Sequence, residues 1–435
     1  MKGSINIFWF RRDLRLEDNV GLFQALNGSN PVLPIFIFDP NILERLPIND
    51  ARVTFIHSTL LKINYELKKA SRCGIAMFHG TPIAIFKQLI KSYNINSVFT
   101  NHDYEPYALD RDIKVETLLK NNGITLETFK DHVIHEKDEI VKRDGSPYLV
   151  YTPYMKSWKA NFNERDLTYH ASKTLISNII QDTPLPFLSL ADIGFKQSHQ
   201  KIKDYTLTPN LIKNYESTRN FPAKDATSKL GPHLRFGTIS VREVTRKAIA
   251  EKNETFLQEL IWREFFIQIL WHFPHTQTKS FKPQYERIEW RNNENEFKAW
   301  CEGKTGYPLV DAGMHQLNKT GFMHNRVRML AGSFLCKHLL VDWRWGEAYF
   351  AEKLHDYEMA SNIGNWQWVA GCGVDAAPYF RIFNPTTQIE KFDKHLEYIK
   401  QWVPDFQELT YPKPIVDHKI ARERCLMVYK NAINQ

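Results

Sequence analysis

Apolar positions in the first third of the chain alternate between two patterns. Short continuous runs at Ile5–Phe10, Val32–Phe38, Ile75–Phe78 and Ser97–Thr100 read as buried strands. Between and after them lie stretches with helical spacing: Asn19–Leu26, Arg52–Ala70, Pro82–Tyr93 and Leu109–Asn121. In the second of these, Phe55, Leu60, Ile63 and Leu67 fall near one helical face, with lysines opposite. Buried strands separated by such helices predict βαβ crossovers and a parallel, Rossmann-like sheet. No GxGxxG follows the first strand, so a dinucleotide is not expected at that sheet's carboxyl edge. From about residue 135 to 210 the pattern lapses. Residues 182–194 have two prolines and little periodicity, and Ser198–Pro209 is polar, which reads as a long connector. After Leu211 strand-like alternation gives way to long helical segments, Glu254–Phe273, stopped by Pro274, and Met323–Val341. The expected organisation is an α/β domain over 1–134, a connector over 135–210 and an all-α domain over 211–435.

Composition narrows the function classes. With 435 residues, 43% hydrophobic and 24% charged, the chain can bury large cores and is not disordered. Lys and Arg number 57 against 49 Asp and Glu, a formal charge of +8. That favours an anionic partner, nucleic acid first, although a merely basic protein is an even match. Five scattered cysteines with no CxxC pair point away from a disulfide framework or a zinc ribbon. Sixteen histidines include no HExxH or other metal spacing, so no metal is expected. The opening MKGSINIFWFRRDLR loses its apolar run at Arg11 and Arg12, too early for a signal peptide, and no run approaches membrane-spanning length. A reduced, cytoplasmic setting away from membranes is expected.

Candidate chemistry sits in the second half. Glu259, Trp262, Arg263 and Phe266 share a helical face in a strongly apolar segment, where charged groups need partners. A ligand site there competes with an exposed Glu–Arg pair beside a core aromatic. Thr227–Ser240 begins with adjacent hydroxyls before a helix, which suits a phosphate or an ordinary N-cap. Asn325, Arg328 and Met329 share another face, with Asp356 and Glu358 as partners for Arg328. A structural network explains them equally well. The segment Asn362–Gln388 mixes Trp366, Trp368, Tyr379, Phe380 and Phe383 with amides and arginines, which suits a planar heteroaromatic ligand or nucleic acid.

Several long motifs occur in one order: FWFRRDLRLEDN, YESTRNFPAKDATSKLGPHLRFGTIS, ELIWREFF, GKTGYPLVDAGMHQLNKTGFMHNRVRM and NWQWVAGCGVDAAPYFRIFNPTTQ. Over nearly its whole length the chain resembles the photolyase/cryptochrome family, most of all the bacterial class I cyclobutane pyrimidine dimer photolyases. The resemblance implies an antenna-binding α/β domain, a connector and a helical domain that binds a U-shaped, non-covalent FAD. It implies a monomer in the bacterial cytosol that acts on UV-damaged DNA. By motif position, Tyr215, Thr227, Ser228, Lys229, Leu230 and Gly231 would contact the cofactor's phosphates. Glu259, Arg263, Asn325, Arg328, Asp356 and Glu358 would surround its ring and adenosine, and Asn362 would face flavin N5.

The implied reaction is light-driven: excited FADH⁻ passes an electron to a flipped-out cyclobutane dimer, the ring splits, and the electron returns. Trp262, Trp368, Met329 and Asn325 would receive the lesion, and Glu259 would stabilise its radical anion. Arg219, Arg326, Arg381 and Gln388 would face the DNA. Trp366, Trp343 and Trp290 would form a photoreduction chain leading outward from the flavin. A second antenna chromophore, a folate or a deazaflavin, is implied without fixing which; Gln277 stands where a folate-site lysine would, with Lys279 nearby. This chain departs from its relatives at Glu358 (usually Asp), Phe256 and Phe322 (usually Trp), Gly231 (Ser), His315 (Arg) and Asn365 (Gly). Two rival readings are a six-four photolyase, against which MHNRVRM argues, and a blue-light cryptochrome. Such receptors usually carry an added tail, and the chain's ending at VYKNAINQ leads to the expectation of a repair enzyme.

Overall fold

The run INIFWF has six consecutive buried residues and forms the central strand of a parallel sheet. In this computed structural model, which describes residues 3–434, the sheet is β1 (Ile5–Phe10), β2 (Val32–Phe38), β3 (Ala76–His79), β4 (Ile95–Asn101) and β5 (Thr125–Phe129). The spatial order is β3-β2-β1-β4-β5, with Phe8 opposite Pro34 on one side and Phe99 on the other. Parallel strands covered on both faces read as unbroken apolar runs, which is why β1 and β2 occupy their predicted ranges. β5 was not predicted. Its sequence TLETF is only half-buried, as an edge strand can be, and it lacks the apolar run of the others.

The chain folds into two units that interleave in sequence. One holds residues 1–136, 161–205 and 229–250; the other holds 137–160, 206–228 and 251–435. The expected division at 134 and 210 is therefore redrawn. Residues 137–160 pack with the helical unit because Tyr151, Tyr154 and Trp158 give the helix Tyr151–Asn161 a buried aromatic face. Residues 229–250, expected in the helical domain, join the α/β unit, where Arg242 reaches two buried carboxylates.

Those carboxylates anchor the α/β unit. Asp131 is paired with Arg15 at 2.7 Å and with Arg242 at 2.9 Å, and Arg242 also pairs with Asp18 at 3.1 Å. Burial would raise the Asp131 pKa, but the two guanidiniums more than offset this and hold it at about 2. A folded pKa below the unfolded value of about 3.9 stabilises the fold above pH 4, by on the order of 2–3 kcal/mol. That contribution is lost as pH falls through about 2. Asp131→Asn leaves two buried guanidiniums short of a partner and should cost about 3–5 kcal/mol. Thermal melts at pH 7 and pH 3 are the check, with the gap between wild type and variant narrowing at the lower pH.

In the helical unit the helix Glu254–His272 is capped by Asn253, whose side chain accepts from the Phe256 N–H at 2.9 Å, and Pro274 follows its end as predicted. The predicted helix 323–341 is shorter than expected. It runs Asn325–Ser333, capped by His324, and continues as a π-turn, Phe334–His338. Gly321 ends the preceding helix, Pro308–Thr320, at φ 65°, and a Cβ there would lie 2.1 Å from the His355 ring. A core of large aromatics, among them Trp300, Phe334, Trp343, Tyr398 and Tyr429, holds these helices together.

Candidate functional site: a cleft in the helical unit

Two partly buried forks define the site. Arg263, on the helix Glu254–His272, donates through Nε and Nη2 to the two carboxylate oxygens of Glu358, both at 2.9 Å. Arg328, on the helix Asn325–Ser333, donates to both oxygens of Asp356 at 3.1 and 2.8 Å, and its Nε donates to the Met323 carbonyl at 2.7 Å. Sequence reading offered both acids to Arg328. The structure gives Asp356 to Arg328 and Glu358 to Arg263. Paired this way, the charges are held in fixed, bidentate geometry.

Arg328, Asp356 and Glu358 border a cleft with about 590 Å³ of space, part of it open to solvent. Its walls include Asn325, Arg328, Met329, Asp356, Glu358, Asn362 and Trp366, all singled out from sequence, together with Gly332, Phe350, Tyr357, Ser361, Asn365 and Val369. One side is flat and apolar. Trp366 meets Phe350 edge-on at 4.9 Å and Trp300 at 6.1 Å. Gly346 permits this packing, since a Cβ there would lie 2.2 Å from the Trp366 ring.

Asn362 shows a residue that sequence reasoning missed. Its amide Nδ2 donates to the Glu347 carboxylate at 2.9 Å and to the Glu347 carbonyl at 3.1 Å. Burial raises the Glu347 pKa, opposed by the Asn362 bond. This anchoring fixes the Asn362 amide and leaves its oxygen as the acceptor available at the cleft. No motif marks Glu347, because the pairing joins two helices, Trp343–Lys353 and Met359–Ala370.

A second cluster gathers other candidates. Glu259 is ion-paired with Arg219 and is partly buried. Burial raises its pKa while Arg219 opposes the rise. The Arg219 guanidinium lies over the Tyr215 ring at 5.4 Å, and Tyr215 meets Phe256 edge-on at 5.1 Å. The Tyr215 phenol is pushed up by burial and then by Glu259. Tyr215 thus sits beside Glu259 and Arg219, with the residues expected to meet DNA. Trp262 is stacked on Tyr151. Arg326 donates to the Asn220 side chain at 2.5 Å and lies over Phe392 at 4.4 Å. Its pKa is lowered by burial and by the neighbouring charges of Arg219 and Arg381. Three arginines thus share a neighbourhood, and Arg381 also covers Trp368 at 5.8 Å. Gln388 lies on the short helix Pro385–Phe392.

The stretch Thr227–Gly231 is divided. Thr227 and Ser228 close a segment of the helical unit, where the Ser228 carbonyl accepts from the Thr206 N–H at 2.8 Å. Lys229, Leu230 and Gly231 open a segment of the α/β unit, with Lys229 at φ 56°. Trp343 is buried on its helix, and its indole N–H has no partner among the described residues. Trp290 is partly buried and meets Tyr429 edge-on at 6.0 Å. Trp300, in ring contact with Trp366, was not singled out from sequence. Among the described residues no cluster of three or more His, Cys, Asp or Glu could hold a metal, and no helix is long and apolar enough to cross a membrane.

Comparison with known proteins accounts for this arrangement. Residues 6–173 match the DNA photolyase family model, and residues 256–410 match the FAD binding domain of DNA photolyase. The deoxyribodipyrimidine photo-lyase of Agrobacterium fabrum is 36% identical, with 99% of this chain and 98% of the relative covered. The crystal structure of a bacterial class III photolyase from Agrobacterium tumefaciens aligns with TM-score 0.89 and 34% identity, covering 100% of this chain and 99% of that one. An archaeal photolyase from Sulfolobus tokodaii, whose structure holds two FAD molecules, aligns with TM-score 0.83 and 33% identity over 99% of this chain and all of that one. The chain belongs to the DNA photolyase family.

Proposed function

We propose that this chain is a light-driven DNA repair enzyme that splits cyclobutane pyrimidine dimers, using FAD held in the cleft between Asn325 and Trp366. The observation that carries this reading is the cleft itself: a flat aromatic and aliphatic wall faces fixed charges and an anchored amide. That donor set fits FAD. Asn325, Arg328, Asp356, Glu358 and Asn362 would hold it, with Arg263 bracing Glu358. Tyr215, Thr227 and Ser228, in the same unit as the cleft, are the candidates for its phosphates.

Fully reduced FAD, when bound and excited, supplies one electron to the dimer and receives it back. The chain's own residues do the rest. Arg219, Arg326 and Arg381 supply positive charge for the DNA backbone, with Gln388 beside them at the rim. Trp262, Trp368 and Met329 receive the flipped-out bases, whose poor stacking lowers the cost of extrusion. Asn325 lies on the helix that also carries Met329, so it can serve both the cofactor edge and the lesion. Glu259, with a raised pKa, has its acid form more available to donate a hydrogen bond to a dimer carbonyl as negative charge develops there. We further propose that the enzyme acts as a monomer in the cytoplasm.

Trp366, Trp343 and Trp290 are proposed to reload electrons. Trp290→Phe should slow photoreduction of oxidised flavin at least about tenfold while chemically reduced protein repairs normally. Wild-type photoreduction in that variant would remove Trp290 from the path.

The crevice at the carboxyl ends of β1, β4 and β5 is a different case. It has about 220 Å³ of space and is laced by ion pairs, Arg11–Asp112 at 2.6 Å and Arg12–Asp103 at 2.9 Å. Its charged groups are satisfied by one another.

The test of function uses oligonucleotides with one cyclobutane dimer or one six-four lesion, reduced protein, and light or dark. Light-dependent restoration of the dimer alone is the expected result. Restoration of the six-four substrate would replace the lesion class, and repair of neither would favour a photoreceptor.

A further inference from the structure

The segment 137–160, which reads as connector in the sequence, reaches the proposed lesion site through one residue. Tyr151 opens the helix Tyr151–Asn161, and its side chain is buried at 6% exposure. Its ring lies flat against the Trp262 indole, with centroids 3.5 Å apart and planes within 8°. Aromatic quadrupoles disfavour so direct a sandwich over offset or edge-on geometry, so other contacts must hold it.

Those contacts are present. The Tyr151 hydroxyl donates to the Gln258 carbonyl at 2.9 Å, and its backbone N–H donates to Asp375 Oδ2 at 3.0 Å. Gln258 lies one turn before Trp262 on the same helix and directly before Glu259. The two helices are braced further along. Trp158 Nε1 donates to the buried Glu264 carboxylate at 2.6 Å, and Tyr154 packs against Phe265 at 5.3 Å. Phe266, also on the Trp262 helix, packs against the indole at 5.6 Å. The orientation of Trp262 and the turn that carries Glu259 are therefore both set from outside their own helix.

We infer that Tyr151 is a positioning residue for lesion recognition: by clamping the Trp262 ring, it sets the preference for a cyclobutane dimer over undamaged pyrimidines. The inference rests on the reading of Trp262 and Glu259 as lesion contacts. Buried as it is, Tyr151 acts through Trp262 and not on the DNA. A loosened indole weakens only the bound state of flipped-out bases. Binding to undamaged duplex depends on phosphate contacts and is spared.

The experiment measures dark binding of flavin-loaded, full-length protein to matched duplexes with and without one dimer. Tyr151→Leu removes the ring, and Tyr151→Phe keeps the ring but loses the hydroxyl. The Leu variant should lose about tenfold in affinity for the dimer duplex, the size expected of one aromatic pair. Its affinity for undamaged duplex should stay within about twofold, and the Phe variant should recover most of the loss. Adding Tyr151→Leu to Trp262→Leu should cause no further loss, because the tyrosine acts through the indole. An unchanged preference in Tyr151→Leu overturns the inference, as does an equal loss on both duplexes or full additivity in the double variant. A wild-type protein with no preference for the dimer would sink the repair reading itself, and this inference with it.

Discussion

Arg263→Ala is expected to yield protein with less than about a tenth of the wild-type FAD content. The Arg263 and Glu358 side chains are only 11% and 7% exposed, and they are joined by two 2.9 Å hydrogen bonds. Removing the guanidinium leaves a carboxylate buried beside the cleft with its main cation gone. Breaking one half of such a pair costs about 3–5 kcal/mol, more than enough to empty a cofactor site. The damage spreads because Glu358 is the residue from which the helix Met359–Ala370 starts, and that helix carries Asn362 and Trp366. Changing both partners to methionine removes the orphaned charge and should restore thermal stability beyond either single change, without restoring full flavin affinity. The flavin-to-protein absorbance ratio after gel filtration and a thermal melt are the two readouts. A stable Arg263→Ala protein that keeps full flavin would contradict the assignment of the cleft.

Glu259→Gln should fold, bind flavin and bind dimer DNA, yet repair with a quantum yield several-fold lower. Glutamine keeps the size and the amide can still accept from Arg219, so the local packing survives. What is lost is an acid whose pKa burial has raised. An amide N–H is a weaker donor than a carboxylic acid, so the charge developing on the dimer is less stabilised and the competition shifts from ring splitting towards unproductive electron return. Burial outweighs the opposing Arg219 pairing, so the wild-type yield should fall once pH rises past the raised Glu259 transition, and the Gln variant should lack that dependence. Flash repair of bound dimer in both proteins across a pH series separates yield from affinity. Equal yields at every pH would remove Glu259 from the chemistry.

How far the sequence reaches depends on how local each feature is. β1 and β2 are legible to the residue because burial on both faces writes an unbroken apolar run. β5 is not, since TLETF is half-exposed and carries a central glutamate. The end of the Glu254–His272 helix is legible from Pro274, whereas the π-turn at Phe334–His338 leaves no mark in helical spacing. Within the site, Asn325 and Arg328 stand in a recognisable motif, and with Asp356, Glu358 and Asn362 they line one cleft. The choice of acid for each arginine is tertiary, and spacing could not make it. Glu347 and Tyr151 were invisible because their partners, Asn362 and Trp262, lie on other helices. Residues 137–160 read as connector because their aromatic face makes sense only against the helix it covers.

The most direct test of the central claim is single-turnover repair: reduced, flavin-loaded protein saturated with a dimer-containing oligonucleotide, given one blue or near-UV flash, and assayed for restored pyrimidines. The account predicts restoration in proportion to photons absorbed, none in the dark, and flavin still fully reduced afterwards. Dimer bound and flavin excited, with no pyrimidines restored, would contradict it.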